Sequence, residues 1–211
     1  MAVYLFDFDG TLVDSMPTFI EAFLRLMRKF EIPIPKDLVK TITPLGYKGA
    51  AVHLRSLGVP LSEEALLDEV NAFARKAYHE SILLKPHVKE TLEALRARGD
   101  SLHILTASPH SVLDPCLMRN GIYTLFENIW SCEDFATTKA DPAIYRMAAE
   151  RIGKPVADII FLDDNYDADK TAKSAGMRVY GVFDESSREF ADDIRAVTDQ
   201  YITDFSELLE V

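Results

Sequence analysis

The sequence predicts an α/β fold: a parallel-sheet core with helices on both faces, and an all-helical module inserted after the first strand. Three observations carry this. Short apolar runs of strand length recur at residues Val3–Phe8, Ser101–Thr106, Asn128–Ser131, Asp158–Leu162 and Arg178–Val182. Helical patterns separate the later runs, and strand–helix alternation at this spacing calls for parallel strands covered by helices. Residues 15–83 break the alternation and contain no convincing strand. A chain of 211 residues has room for such a core and one small module.

The elements follow in order. Val3–Phe8 is apolar and aromatic and runs into acidic residues and Gly10, a buried strand leading to a tight loop. Phe19, Ile20, Phe23, Met27 and Phe30 form one helical stripe. A second helix is expected over about Tyr47–Leu57. A third is expected over about Glu63–Ser81, with Ser62 as N-cap and Glu63 and Glu64 at its positive end. Pro33, Pro35, Pro44, Gly46, Gly58 and Pro60 punctuate this module. In His87–Arg98, Val88, Thr91, Leu92 and Leu95 recur at helical spacing and Gly99 closes the element. Val112–Arg119, Pro142–Arg151 and Ala168–Ala175 behave alike, followed by Gly121, Gly153 and Gly176. The tail, Tyr201–Ile202 and then Phe205–Leu209, is expected to return to the core surface. The domain expectation is a core of residues 1–14 and 84–211 and a helical module of residues 15–83, joined by a hinge near Leu84–His87.

Composition narrows the function. Lys and Arg number 23 against 34 Asp and Glu, a net charge of −11 that disfavours nucleic acid and anionic membranes as partners. An anionic small substrate stays compatible, because a metal or a local lysine can reverse the field at one site. Cys116 and Cys132 are far apart and form no CxxC, so they read as reduced thiols in a cytoplasmic protein. No run approaches the length of a membrane span, and the N-terminus does not read as a signal peptide.

The strongest chemical signal is the phrase DFDGTLVDS, Asp7 to Ser15. It sets Asp7 and Asp9 at the carboxyl end of the first strand, where ligands of open α/β sheets collect. The two side chains would share a face if the strand continued, although a turn at Gly10 loosens that constraint. Two such carboxylates need a cation, a proton or a ligand, and magnesium suits them as a hard, oxygen-seeking ion. An ionised aspartate is also a competent nucleophile toward phosphorus. A second acidic cluster, Asp163, Asp164, Asp167 and Asp169, begins directly after a buried strand. Asp163 and Asp164 are candidate metal ligands, whereas Asp167 and Asp169 equally suit a helix start. Thr106 offers a hydroxyl, and Ala107 and Ser108 offer backbone N–H groups, to a phosphoryl oxygen. Lys139, just before a helix starting at Asp141 or Pro142, is placed to neutralise a nucleophile and transferring oxygens.

Together these residues resemble the haloacid dehalogenase superfamily, and within it the phosphatase branch with a small helical cap, the phosphoglycolate phosphatase and β-phosphoglucomutase-like enzymes. Four motifs occur in order across nearly the whole chain: Asp7-Phe8-Asp9-Gly10-Thr11, Thr106-Ala107-Ser108, Lys139-Ala140-Asp141-Pro142, and Asp163-Asp164 ahead of the run AKSAGM. The resemblance implies a Rossmann-like core with the helical module as cap. It implies Asp7 as nucleophile and magnesium ligand, and Asp9 as general acid/base that lends the metal its backbone carbonyl. It further implies that Thr106 and Lys139 hold the phosphoryl group and that Asp164, with Asp163, binds Mg2+. Either Asp167 or Asp169 stands for a further aspartate of some relatives.

The expected activity is magnesium-dependent hydrolysis of a small phosphorylated metabolite, phosphoglycolate-like or a sugar phosphate, by a monomer or weak dimer. A dehalogenase needs no metal, and Asp9 with Asp163-Asp164 favours phosphoryl transfer over it. A phosphonate hydrolase would need a cap lysine, and Lys29, Lys36, Lys40 and Lys48 lie in no motif. A sugar-phosphate mutase of the β-phosphoglucomutase type carries a cap histidine where this chain has Phe19. A non-catalytic phosphate-binding regulator is the alternative of a different class, and the intact Asp7/Asp9 pair opposes it. Cap residues Arg25, Tyr47, Lys48 and Arg55 are candidates for substrate selection, with Met16 and Phe19 expected to pack the first cap helix. His110 suits the site entrance or a helix start.

Overall fold

The first strand, β1 (Val3–Phe6), is buried along its whole length, and the sheet is built outward from it. Strands β2 (Ser101–Thr106) and β4 (Ile159–Asp163) flank it. β3 (Asn128–Ser131), β5 (Arg178–Val182) and β6 (Gln200–Ile202) complete the order β3-β2-β1-β4-β5-β6, with every pairing parallel. This is the doubly wound Rossmann order, in which the chain reverses its direction of travel beside β1. The computed structural model describes residues 1–42 and 45–210, and of Gly46 and Tyr47 the backbone alone. Pro44 and the Tyr47 side chain, both singled out above, lie outside what is described.

Alternation along β1 sends Val3 and Leu5 to one face of the sheet, into a core shared with Phe161, Val179 and helices α7 (Pro142–Ile152) and α8 (Tyr166–Ala175). Tyr4 and Phe6 point to the other face, where the Phe6 ring meets Phe126 and Phe205. Helix α5 (Val88–Ala97) packs there on β2 and on the short 3-10 turn Phe205–Leu209 of the tail. The tail thus returns to the core as expected and adds β6. Gly99, Gly121, Gly153 and Gly176 all take positive φ. In α7 and α8 the glycine ends the helix in the left-handed conformation that only glycine adopts cheaply.

The chain divides into two compact units, Met1–Asp14 with Leu83–Val211, and Ser15–Ile82. In the second unit no strand occurs among the described residues. Its helices are α1 (Met16–Lys29), α2 (Leu38–Ile42), α3 (Gly46–Ser56) and α4 (Glu63–Glu80). Phe19, Phe23, Met27, Leu54, Leu66 and Val70 form its interior. Ser62 caps α4 by accepting from the Ala65 amide at 3.1 Å. Phe19 is buried edge-on to Tyr78. Arg25, Lys48 and Arg55 are exposed, and Arg25 stacks over Phe73 within the unit. The α/β unit adds α6 (His110–Arg119) and α9 (Ala191–Val197). No helix among the described residues is long and apolar enough to cross a membrane.

Candidate active site

Backbone pairing places Asp7. Its amide donates to Leu162 O at 2.8 Å, extending the β1–β4 ladder one residue past the strand and delivering the side chain to the point where the sheet order reverses. The chain then turns. Leu12 and Val13 amides donate to Phe8 O, Gly10 N donates to Val13 O, and Phe8, Leu12 and Val13 are buried. Because the strand ends at Phe6, Asp7 and Asp9 do not share a strand face. The Asp7 carboxylate faces Lys139, and the partly exposed Asp9 carboxylate accepts from Ser108 Oγ at 2.5 Å.

Gly10 is required by contact as well as by its φ of 75°. A Cβ there would stand 2.5 Å from Asp164 Oδ2. The turn therefore lies directly against Asp164, and Thr11 Oγ1 donates to Asp164 Oδ1 at 3.3 Å.

From β4 come Asp163 and, one residue on, Asp164, both buried. Asp163 is held on both sides: its Oδ1 accepts the Asn165 amide at 2.8 Å and its Oδ2 accepts Lys139 Nζ at 2.7 Å. Asn165 caps α8, accepting from the amides of Asp167 and Ala168. Lys139 Nζ reaches Asp7 Oδ1 at 2.5 Å as well, so one ammonium bridges two carboxylates with only 14% of its side chain exposed. Tyr145 Oη, 3.1 Å from the carbonyls of Lys139 and Ala168, ties the lysine's loop to α8.

Ligand atoms of Asp7, Asp163 and Asp164 lie within 4.8 Å of one another, a set able to hold a metal ion. The Asp9 carboxylate is outside this set. Asp167 is exposed in the first turn of α8. Asp169 is fully buried, makes no side-chain hydrogen bond, and is pushed up to about 10 by burial and by the charges of Asp163 and Asp164.

The electrostatics mark crowded negative charge. Burial, opposed by Lys139 and reinforced by Asp163 and Asp9, pushes the Asp7 carboxyl up to about 7. Asp164 is driven well above the usual carboxylate range, first by burial and then by Asp163 and Asp7. Burial works against the Lys139 charge, but Asp163 and Asp7 more than overcome it and keep the ammonium protonated.

At the end of β2, Thr106 is buried and its Oγ1 accepts the Ser108 amide at 3.1 Å, so that amide is turned inward to the loop. His110 lies between Asp114 and Asp134, 2.9 Å from each, and both carboxylates raise it above an ordinary histidine. Cys116 and Cys132 are buried thiols, and Cys116 Sγ accepts from Asn120 Nδ2 at 3.5 Å. The motifs did not point to Asn165, Tyr145 or Lys85, which bonds the carbonyl of Gly10 at 2.6 Å.

The sequence pattern of the family described as haloacid dehalogenase-like hydrolase matches residues 4–182. The chain belongs to the haloacid dehalogenase-like hydrolases. Within them it is an enzyme of the phosphatase branch with a small helical cap. This hydrolase is 27% identical to a phosphorylated carbohydrates phosphatase of Thermotoga maritima, over 86% of this chain and 85% of that one. It is 29% identical to a phosphoglycolate phosphatase of Pasteurella multocida, covering 84% and 83%. In fold it matches the crystal structure of a haloacid dehalogenase family hydrolase from Deinococcus radiodurans with bound phosphate and sodium. There the TM-score is 0.81 at 22% identity, covering 98% of this chain and 92% of that one.

Proposed function

We propose that this hydrolase cleaves a small phosphomonoester, a sugar phosphate or a phosphoglycolate-like acid, through a covalent aspartyl phosphate (an acyl phosphate) at Asp7, with magnesium as cofactor. The carrying observation is the buried trio Asp7, Asp163 and Asp164, with Lys139 bridging the first two. The trio fits a hard divalent cation. All its donors are carboxylate oxygens, and the Asp164 carboxylate accepts a hydrogen bond only from the Thr11 hydroxyl among the described residues. Held by Asp7, Asp163 and Asp164, with the Asp9 carbonyl as the resemblance implies, magnesium would offset the repulsion between a carboxylate nucleophile and phosphoryl oxygens.

The chain's own groups supply the rest. Lys139 keeps Asp7 oriented and lends positive charge to the transferring phosphoryl oxygens. Thr106, whose Oγ1 accepts from the Ser108 amide, keeps its hydroxyl proton to donate to a phosphoryl oxygen. Ala107 completes that phosphoryl-binding loop with its backbone N–H, while the Ser108 amide, expected from the sequence to do the same, is spent on Thr106. Asp7 attacks phosphorus, and Asp9, steadied by Ser108, protonates the departing alkoxide. Asp9 then takes a proton from water as its oxygen attacks the same phosphorus, releasing phosphate and the Asp7 carboxylate. We assign selection beyond the phosphoryl group to the helical cap, residues 15–83, as relatives similar over most of the chain are named for different substrates, phosphorylated carbohydrates and phosphoglycolate. The setting we expect is cytoplasmic, in keeping with two cysteines held as thiols.

The test is hydrolysis of a panel of phosphorylated metabolites and a small aryl phosphate with magnesium, then after chelation. Activity is expected to vanish on chelation and return with magnesium. Asp7→Asn is expected to lose at least about a thousandfold in kcat while staying folded. Ordinary turnover by a clean Asp7→Asn preparation, or by verified metal-free protein, would disprove the scheme.

A further inference from the structure

Lys85 enters the α/β unit directly after the segment that pairs with the nucleophile loop. Val13 and Leu84 form an antiparallel bridge, Asp14 N donates to Leu83 O, and Lys85 N donates to Leu12 O, both at 3.0 Å. Its side chain turns inward and is only 15% exposed. Nζ lies 2.6 Å from Gly10 O, 2.6 Å from Phe183 O and 3.0 Å from Asp184 Oδ2. Three acceptors match the three protons of an ammonium, so the cation is fully satisfied. Asp184 is itself fixed, because its Oδ1 accepts from the amide and the hydroxyl of Ser186. The anchor is therefore rigid at the β5 end, and its free purpose is at the other end, on Gly10.

Gly10 is the residue whose backbone lies against the Asp164 carboxylate, with no room for even a methyl group. The next residue, Thr11, bonds that same carboxylate. A shift of the Gly10 carbonyl would carry both contacts with it. We propose that Lys85 is a positioning residue of the reaction: a three-point peg that holds the Gly10–Thr11 turn against Asp164 without touching substrate. The inference rests on the hydrolytic reading above. Charge alone does not express it. Arginine would keep the charge, but its planar fork cannot direct three hydrogens from one atom to these acceptors.

The experiment compares wild type, Lys85→Met and Lys85→Arg, using three readouts. The first is kcat and KM for a small aryl phosphate at saturating magnesium. The second is binding of Mn2+ alone by electron paramagnetic resonance. The third is amide exchange of Gly10, Leu12 and Val13 in the metal-free protein. In Lys85→Met, kcat and Mn2+ affinity are each expected to fall about 10- to 100-fold with KM nearly unchanged, the scale for groups that orient metal ligands. Loop amides are expected to exchange faster while those of β2 and β3 do not, and Lys85→Arg is expected to rescue poorly. Tighter Mn2+ binding with unchanged loop exchange would mean that Lys85 acts only as a nearby positive charge and overturns the proposal. So would full rescue by arginine, or a kcat within twofold of wild type. If Lys85→Met does not fold, Asp184→Ala removes one of the three points and is expected to move all readouts the same way by less, and no movement there overturns the proposal. Wild type that hydrolyses no phosphomonoester defeats the reaction scheme instead, and the exchange and Mn2+ data still decide whether Lys85 holds the loop.

Discussion

At the residue scale the site is a problem of excess negative charge. Asp7, Asp163 and Asp164 are buried together, and Lys139 is the ammonium that bridges two of them. Removing one partner of a buried ionic cluster leaves charge with no compensation, which costs more than an exposed pair is worth. Lys139→Met is therefore expected to destabilise the metal-free protein by roughly 3 kcal/mol. Magnesium is expected to restore part of that loss, since a bound cation takes over the compensation. Denaturant midpoints in chelator and in magnesium check this, and equal losses in the two media would contradict it. Catalysis is a separate readout, because in the proposed scheme Lys139 serves the phosphoryl group that all substrates share. Activity should fall for every substrate together, whereas Lys48→Ala and Arg55→Ala should reorder substrates. Reordering by Lys139→Met would reverse that division.

At the element scale, β2 carries a buried histidine. His103 Nδ1 faces the Asn128 amide nitrogen at 2.9 Å, which makes Nδ1 the acceptor and leaves the proton on Nε2, 2.8 Å from Ser101 Oγ. Ser101 Oγ in turn donates a hydrogen bond to Glu127 Oε2 at 2.8 Å, and the ring stacks on Trp130 of β3. Burial, with a smaller contribution from Arg96 and against the pull of Glu127, lowers His103 to about 4. A neutral ring is thus part of the fold. Its contribution is complete above the unfolded value of about 6.5 and is lost as pH falls toward 4, worth up to about 3 kcal/mol. His103→Gln should flatten the dependence of stability on pH across that interval, and an unchanged slope in urea titrations from pH 7 to 4 would refute it. Elements such as this were legible in the sequence because local residues mark them. β2, β3 and β5 appear as apolar runs, and glycines mark the ends of α7 and α8. β1 stops two residues short of its apolar run because Phe8 is spent anchoring the loop. β4 reaches Asp163 because its ladder continues to Gly181. Five-residue α2 and three-residue β6 are too short to show a period. Within the site, Asp7, Asp9, Asp163, Asp164 and Lys139 stand in dense motifs. Lys85 does not: two of its three partners are backbone carbonyls, which leave no mark in a sequence, and all are distant along the chain.

At the scale of the whole molecule, function is divided between a core that holds the charged chemistry and a helical unit with an interior of its own. The core is assembled from the two ends of the chain. Its central strand, β1, is made first, yet Val3 pairs with Ser101 on one side and Ile159 on the other. A ribosome has therefore to deliver the chain through β4 before the first strand acquires both neighbours. Until then an apolar, aromatic ribbon waits without a sheet, while residues 15–82 can already condense. Such high contact order makes for slow folding and prolonged exposure to aggregation. A ribosome-bound chain arrested just before Ile159 emerges is expected to show a protease-resistant helical fragment beside a cleavable N-terminus. Protection of Val3–Phe6 at that stage would speak against this order of assembly. Since Asp163 and Asp164 follow the same late strand, the carboxylate trio does not exist on a nascent chain before β4 has emerged: the last pairing of β1 and the gathering of its carboxylates are one event.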